Sequence, residues 1–228
     1  MIEVERQDNM LLVYLNSIAN RNAFTLEVIN KLSSIRCEGL DLVVFSNRGD
    51  VFSSGLDLGV FLRGSVAARE YLASLHRLVE HVLDCTATTV AYLSGDAYGF
   101  GVEFTYFVDY VVAAAPGLKL SLQGIKLGVF PPYTIMLAEL LGYNVVRSLL
   151  ARPITAEEAK AMGLIHHIGT LDDAIRKIFI VPRHTFRIVK YNRHMIRKHL
   201  KEEVLYQLAA LADDEDTKSL ISRFLRKS

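Results

Sequence analysis

Several features are scarce in this 228-residue chain, and each shortage excludes something. It has two cysteines, Cys37 and Cys85. That is too few for a disulfide framework, so a reducing, cytoplasmic compartment is the expectation. No apolar run reaches the roughly 18 residues that a membrane-spanning helix needs. The opening stretch, MIEVERQDNM, is charged and lacks the apolar segment of a secretory signal. A formal net charge of +1 gives no global argument for nucleic acid or an acidic surface as partner. The histidines do not have metal-ligand spacing. His166 and His167 are adjacent on a predicted strand and point to opposite faces, while the pairs His76/His81 and His194/His199 share no helical face. Ser53 and Ser54 lack the G-x-S-x-G context of a serine nucleophile. There is no internal repeat and no low-complexity segment.

What is present reads as a folded enzyme-sized unit. A hydrophobic content of 51% against 22% charged residues marks a globular chain, not a disordered one. Residues 2–6 and 10–15 predict two strands meeting at Asp8-Asn9. Thr25 is placed to cap a helix whose apolar residues recur at Leu26, Ile29 and Leu32. Residues 42–45 predict a buried strand, and residues 67–83 a helix with Tyr71, Leu75, Leu78, Val79 and Val82 on one side. Residues 110–114 and 118–122 predict further strands, the second half-exposed by its alternation. Pro131-Pro132 can start a helix over 133–141 that Gly142 closes, and 144–150 predicts another. Thr155 and Glu158 have capping-box spacing, Gly163 ends that helix, and 164–168 predicts a strand. Strands alternating with helices imply an α/β fold. Pro182 divides a core, 1–181, from a helical segment without strands, 182–228.

The stretch 90–109, VAYLSGDAYGFGVEFTYFVD, organises the rest. A short apolar strand runs into a glycine-containing turn and then into a helix start. This arrangement leaves backbone N–H groups unpaired and pointing outward, where a developing negative charge can sit. Glu103 lies close enough to move protons. An earlier glycine, Gly55, flanked by small residues, lets the backbone approach a ligand closely.

These residues resemble a known family. Residues 52–58, FSSGLDL, resemble the F-S-A-G-A-D-L motif of the crotonase (enoyl-CoA hydratase/isomerase) superfamily. Residues 94–103, SGDAYGFGVE, with Asp109 beyond, are similar to its N-G-x-A-x-G-G-G-x-E-x-x-x-x-x-D block. Residues 125–131, IKLGVFP, resemble the E-I-x-L-G-I-x-P segment without its acid, and 152–159 followed by Gly163-Leu164-Ile165 resemble G-R-x-I-x-A-x-E-A…G-L-V. Asn22-Ala23-Phe24 and residues 215–227 fit the family's ends. The resemblance covers nearly the whole chain, with its motifs in order.

The resemblance implies a spiral of β-β-α units with a helical C-terminal trimerisation segment. It implies an acyl-CoA thioester as substrate, no separate cofactor, and a homo-oligomer, either a trimer or a dimer of trimers. The thioester carbonyl would sit between the backbone N–H groups of Leu56 and Phe100, with Glu103 as acid/base. Ser54, Gly55, Asp57, Leu58, Gly99, Gly101, Pro131 and Tyr133 would surround the substrate. An enolate oxygen forms whenever a proton leaves or reaches the carbon next to a thioester, and fixed amide dipoles stabilise it. Phe100 departs from the family's usual glycine, and a φ above zero there would be costly.

A second departure bears on the reaction. The second glutamate of the family's hydratases falls at Gly124, so that carboxylate is absent. Adding water across a double bond is served by two groups, whereas one carboxylate suffices to take and return a proton in a 1,3 shift. Tyr133, Gln123, Asp57 and Tyr98 lie near the motifs but are expected to serve packing or turns, and Asp109 to be structural. Basic residues recur at helical spacing from Arg183 to Lys201. The bland reading is a solvated face, and the resemblance instead suggests CoA phosphate contacts by Arg187, Lys190 and Arg197. Nucleic acid fits less well, because no aromatic stacking pattern accompanies the stripe. Two further readings remain on the same fold: an acyl-CoA thioesterase in which Glu103 positions water, and a non-catalytic CoA-binding or assembly subunit.

Overall fold

The computed structural model describes residues 1–178 and 193–227. The expected hairpin is present as β1, Ile2–Gln7, and β2, Met10–Leu15, paired antiparallel with Ile2 opposite Leu15. The Thr25 side chain accepts from Val28 N at 3.3 Å and opens α1, Leu26–Ser33. The chain then repeats one pattern, a long strand, a short strand and a helix. β3, Leu42–Asn47, and β4, Val51–Ser53, precede α2, Ser65–Asp84. β5, Thr88–Leu93, and β6, Asp96–Tyr98, precede α3, Phe100–Phe104. β7, Tyr110–Ala113, and β8, Lys119–Ser121, precede α4, Pro132–Met136.

Each repeat adds its first strand to one sheet and its second to another. Among the described residues the sheets run β1-β2-β3-β5-β7-β10 and β4-β6-β8-β9, where β9 is Ile154–Thr155 and β10 is His167–Ile168. Parallel pairing from β2 to β7 requires crossover connections, which the helices supply. This is the β-β-α spiral that the resemblance implies. Because β4, β6 and β8 are parallel neighbours, with Ser53 beside Ala97 and Tyr98 beside Ser121, the loops that follow them leave the same edge.

The larger core lies between the sheets and α1 and α2, and it holds Phe24, Phe52, Phe61, Tyr71, Phe100 and Phe104 at 2% exposure or less. The helical remainder comprises α5, Ala138–Leu141; α6, Tyr143–Ala151; α7, Ala156–Ala161; α8, Leu171–Ile178; α9, His194–His199; α10, Glu202–Ala210; and α11, Glu215–Leu225. Among the described residues no strand follows β10. The expected boundary at 181/182 lies outside the described residues.

Four expectations are corrected. The helix expected over 133–141 is broken at the buried Leu137, which leaves helical geometry at ψ 12° and separates α4 from α5. The strand expected over 164–168 shrinks to His167–Ile168, because the Val111 N–H bonds His166 Nδ1 at 2.9 Å rather than a carbonyl. Residues 118–122 do not alternate: Leu120 and Ser121 are both buried, since this strand lies inside the smaller sheet. Finally, Cys37 and Cys85 are joined in a disulfide across a sequence separation of 48. Cys37 lies in the loop before β3 and Cys85 caps α2 just before β5, and β3 and β5 pair. The cysteine count alone did not reveal that adjacency. Among the described residues no helix is long and apolar enough to cross a membrane.

Candidate active site

Three loops leave the shared edge of β4, β6 and β8, and they are the three motif segments. In the first, Ser53 Oγ accepts the Gly55 N–H at 3.0 Å and Gly55 O accepts the Phe24 N–H at 2.8 Å. Gly55 has φ 95°, and a Cβ there would stand 2.8 Å from Tyr98 O and 2.9 Å from Phe100 N. Glycine is therefore required twice, by conformation and by space. In the second loop Gly99 has φ 50° and donates to Ser121 O at 2.8 Å, and Phe100 begins α3. A Cβ on Gly101 would lie 2.8 Å from Ser53 O, so α3 sits flush on the first loop.

The strain that a positive φ would bring at Phe100 does not arise. The left-handed φ falls on Gly99, one residue earlier, and Phe100 has none. Its ring turns into the core, 4.8 Å from Phe24 and 5.6 Å from Tyr133 between centroids, leaving its N–H beside the first loop. Among the described residues, neither the Leu56 nor the Phe100 N–H has a hydrogen-bond partner, and both residues line one cavity of about 450 Å³.

Glu103 lines that cavity at 1% exposure. Its Oε1 accepts the Thr134 N–H at 2.7 Å, and the Tyr133 N–H and the Thr134 hydroxyl lie near enough to favour the charged carboxyl. Pro132 supplies the start of α4 without needing a partner for an N–H, so the next two residues present theirs to Glu103. Burial raises the carboxyl pKa to about 8, and the bonds from Thr134 and Tyr133 oppose that rise. A group poised there can hold or release a proton near neutral pH. Gly124, in the loop after β8, lines the same cavity, so no second carboxylate stands at that position.

Of the residues expected to surround the substrate, Ser54, Leu58, Gly99 and Pro131 line the cavity. The others serve elsewhere. Asp57 accepts the Gly59 N–H at 3.1 Å and caps the 3-10 turn Leu58–Arg63. Gly55 and Gly101 form the contact between loops, behind the lining. Tyr133 is fully buried behind Phe100 and Phe107. Of the other residues near the motifs, Tyr98 lines the cavity and donates to Asp96 Oδ2 at 2.9 Å. Asp109 takes the structural role expected of it: it accepts the Thr89 N–H at 2.7 Å and pairs with the half-buried Arg193 at 2.6 Å. Arg197 is engaged by Glu80 at 2.7 Å and Asp84 at 2.6 Å on α2, which fastens α9 there, away from the cavity lining. Arg187 and Lys190 lie outside the described residues. Sequence reading did not assign Arg21, Lys126, Phe130 or Phe224 to the wall. Only Arg21 had a local signal, the turn it shares with Asn22, where both residues have positive φ.

The chain was compared with known proteins. Residues 5–221 match the family model described as Enoyl-CoA hydratase/isomerase. A putative enoyl-CoA hydratase of Thermus thermophilus is 29% identical over 189 residues, 78% of this chain and 74% of that protein. The 2,3-dehydroadipyl-CoA hydratase of Escherichia coli is 26% identical over 98% of this chain and 95% of its own. In fold, the chain resembles the crystal structure of an enoyl-CoA hydratase from Bacillus halodurans at TM-score 0.82 and 21% identity, covering 97% of this chain and 99% of that one. The motif loops, their shared edge and these likenesses lead to one conclusion: the chain belongs to the enoyl-CoA hydratase/isomerase family, within the crotonase superfamily.

Proposed function

We propose that this protein is an acyl-CoA enzyme that stabilises a thioester enolate, with Leu56 and Phe100 N–H as the oxyanion donors and Glu103 as acid/base. The observation that carries this reading is the convergence of two unpartnered amides from neighbouring loops on a cavity that holds one buried carboxyl. Preorganised N–H donors act where charge develops and need no rearrangement, so each lowers the barrier by about 3 kcal/mol.

The reaction that fits one carboxyl is a 1,3 proton shift in a 3-enoyl-CoA. Ionised Glu103 takes a proton from carbon 2, and the electron pair moves onto the thioester oxygen between the two amides. The enolate then collapses as Glu103 returns a proton to carbon 4, leaving the double bond between carbons 2 and 3. Hydration is the poorer fit, because Gly124 offers no group to handle water. The exposed apolar side chains of Ile135, Leu140 and Tyr143 support a homo-oligomer, a trimer or a dimer of trimers, which light scattering would measure.

The test is turnover of a 3-enoyl-CoA and of crotonyl-CoA by wild type and by Glu103→Gln, together with binding of butyryl-CoA. The substitution should cost about 10²–10⁴ in kcat and leave binding intact. Turnover that survives it removes Glu103 from the mechanism. Binding without any turnover in wild type favours a non-catalytic CoA-binding subunit.

A further inference from the structure

The strands that carry the motif loops also bring to the cavity a buried hydroxyl with no assigned role. β6 and β8 are parallel neighbours, with Ala97 beside Leu120 and Tyr98 beside Ser121. Ala97 and Leu120 both pack in the larger core. Successive side chains of a strand point to opposite faces, so Tyr98 and Ser121 share the other face, and both line the cavity. Ser121 is 3% exposed. The hydroxyls near it are engaged: Ser54 donates to Asn20 O at 3.3 Å and Tyr98 to Asp96 Oδ2 at 2.9 Å. The Ser121 hydroxyl has no hydrogen-bond partner among the described residues. A buried polar group left without a partner costs stability, so its presence at the cavity wall calls for a partner from outside the chain.

The backbone fixes where this hydroxyl stands relative to the amides. Ser121 O accepts the Gly99 N–H at 2.8 Å, and Gly99 directly precedes the Phe100 donor. Ser121 is thus the neighbour, one strand over, of the turn that presents the second amide.

We propose that the Ser121 hydroxyl is a third donor to the thioester oxygen, joining the Leu56 and Phe100 N–H groups as charge develops there. The inference rests on the enolate reading given above. Ser121 keeps its proton throughout and donates only a hydrogen bond. A hydroxyl rotates to suit its acceptor, and a bond to an ionised oxygen is roughly twice as strong as one to a neutral oxygen. Ser121 therefore gives little to the bound thioester and more to the enolate, a difference that enters kcat and not binding.

The test compares wild type, Ser121→Ala and Ser121→Cys, the last keeping the bulk while offering only a weak donor. Acetoacetyl-CoA, whose enolate has its own absorbance band, reports stabilisation of the charged oxygen. Butyryl-CoA reports binding of a neutral thioester. Both substitutions should lower the ratio of bound enolate to bound ketone about tenfold at a fixed pH, and kcat for a 3-enoyl-CoA by a similar factor. The dissociation constant of butyryl-CoA should stay unchanged. The melting temperature of Ser121→Ala should not fall, because no bond within the protein is lost. An enolate ratio equal to wild type in Ser121→Ala, or in Ser121→Cys, would overturn the third donor. So would a loss of butyryl-CoA affinity as large as the loss of enolate, or a lowered melting temperature. Each of these results leaves the enolate reading standing. A wild-type protein that binds acetoacetyl-CoA yet holds no more of it as enolate than free solution does would overturn that reading and the third donor together.

Discussion

Glu103 Oε1 and the backbone N–H of Thr134 are 2.7 Å apart, so the cavity's buried carboxyl is held by the first turn of a helix that begins with two prolines. This contact favours the charged form, while burial favours the neutral one. Burial prevails, and the pKa stands at about 8.

A group acting as base must be ionised, so kcat/KM for a proton shift should rise with pH and level off above about 8, with the inflection absent in Glu103→Gln. Stability should move the other way. Between the ordinary value of 4.5 and about 8, the folded chain holds a proton that the unfolded chain has released. Stability therefore falls as pH rises through that window. Melting curves of wild type and Glu103→Gln at pH 5, 7 and 9 would check this, the difference between them growing with pH.

Gly124→Glu should restore the absent carboxylate. Gly124 has no left-handed φ, and a Cβ there meets Val129 Cγ2 at 3.4 Å, an ordinary contact. Hydration of crotonyl-CoA should rise by about tenfold or more as a second proton-transfer group becomes available. Absorbance of the conjugated thioester follows the reaction, and unchanged hydration would show that the new carboxylate does not reach the substrate.

Gly55→Ala should disable the site through its backbone. The new methyl would meet Tyr98 O at 2.8 Å and Phe100 N at 2.9 Å, on a residue with φ 95°. The strain is worth about 1–3 kcal/mol. Displacing one oxyanion donor costs about 10²–10³ in kcat. Gly117→Ala, where nothing lies within 4 Å of a Cβ, is the matched control and should behave as wild type in both melting and turnover.

The Cys37–Cys85 bond closes a loop with a sequence separation of 48. Cys85→Ala, or reduction of the wild type, should cost about 2–4 kcal/mol of stability in the chain-entropy picture. Denaturant titration with and without reductant measures it, and thiol titration of the native protein should find no free cysteine.

Much of this was legible because it is local. The Thr25 cap, the Thr155/Glu158 capping box and the hairpin at Asp8-Asn9 depend on a few neighbouring residues each, and all three are present. The glycine loops and Glu103 were legible by resemblance, because their spacing is kept. What escaped depends on contacts distant in sequence. The disulfide needed the pairing of β3 with β5, and the cavity wall needed α11 to return so that Phe224 faces it. Phe100 misled because the motif does not say which of two neighbouring residues takes the left-handed turn. Gly99 takes it, freeing its neighbour to be any residue whose ring the core accepts.

Phe224 comes from a helix well over a hundred residues downstream of the amides and the glutamate, yet it helps bound the space beside them. One wall of the cavity that holds the proposed acid/base thus comes from a stretch of polypeptide remote from it. A substitution at Phe224 would change the shape of that space while leaving Glu103 and the two amides untouched.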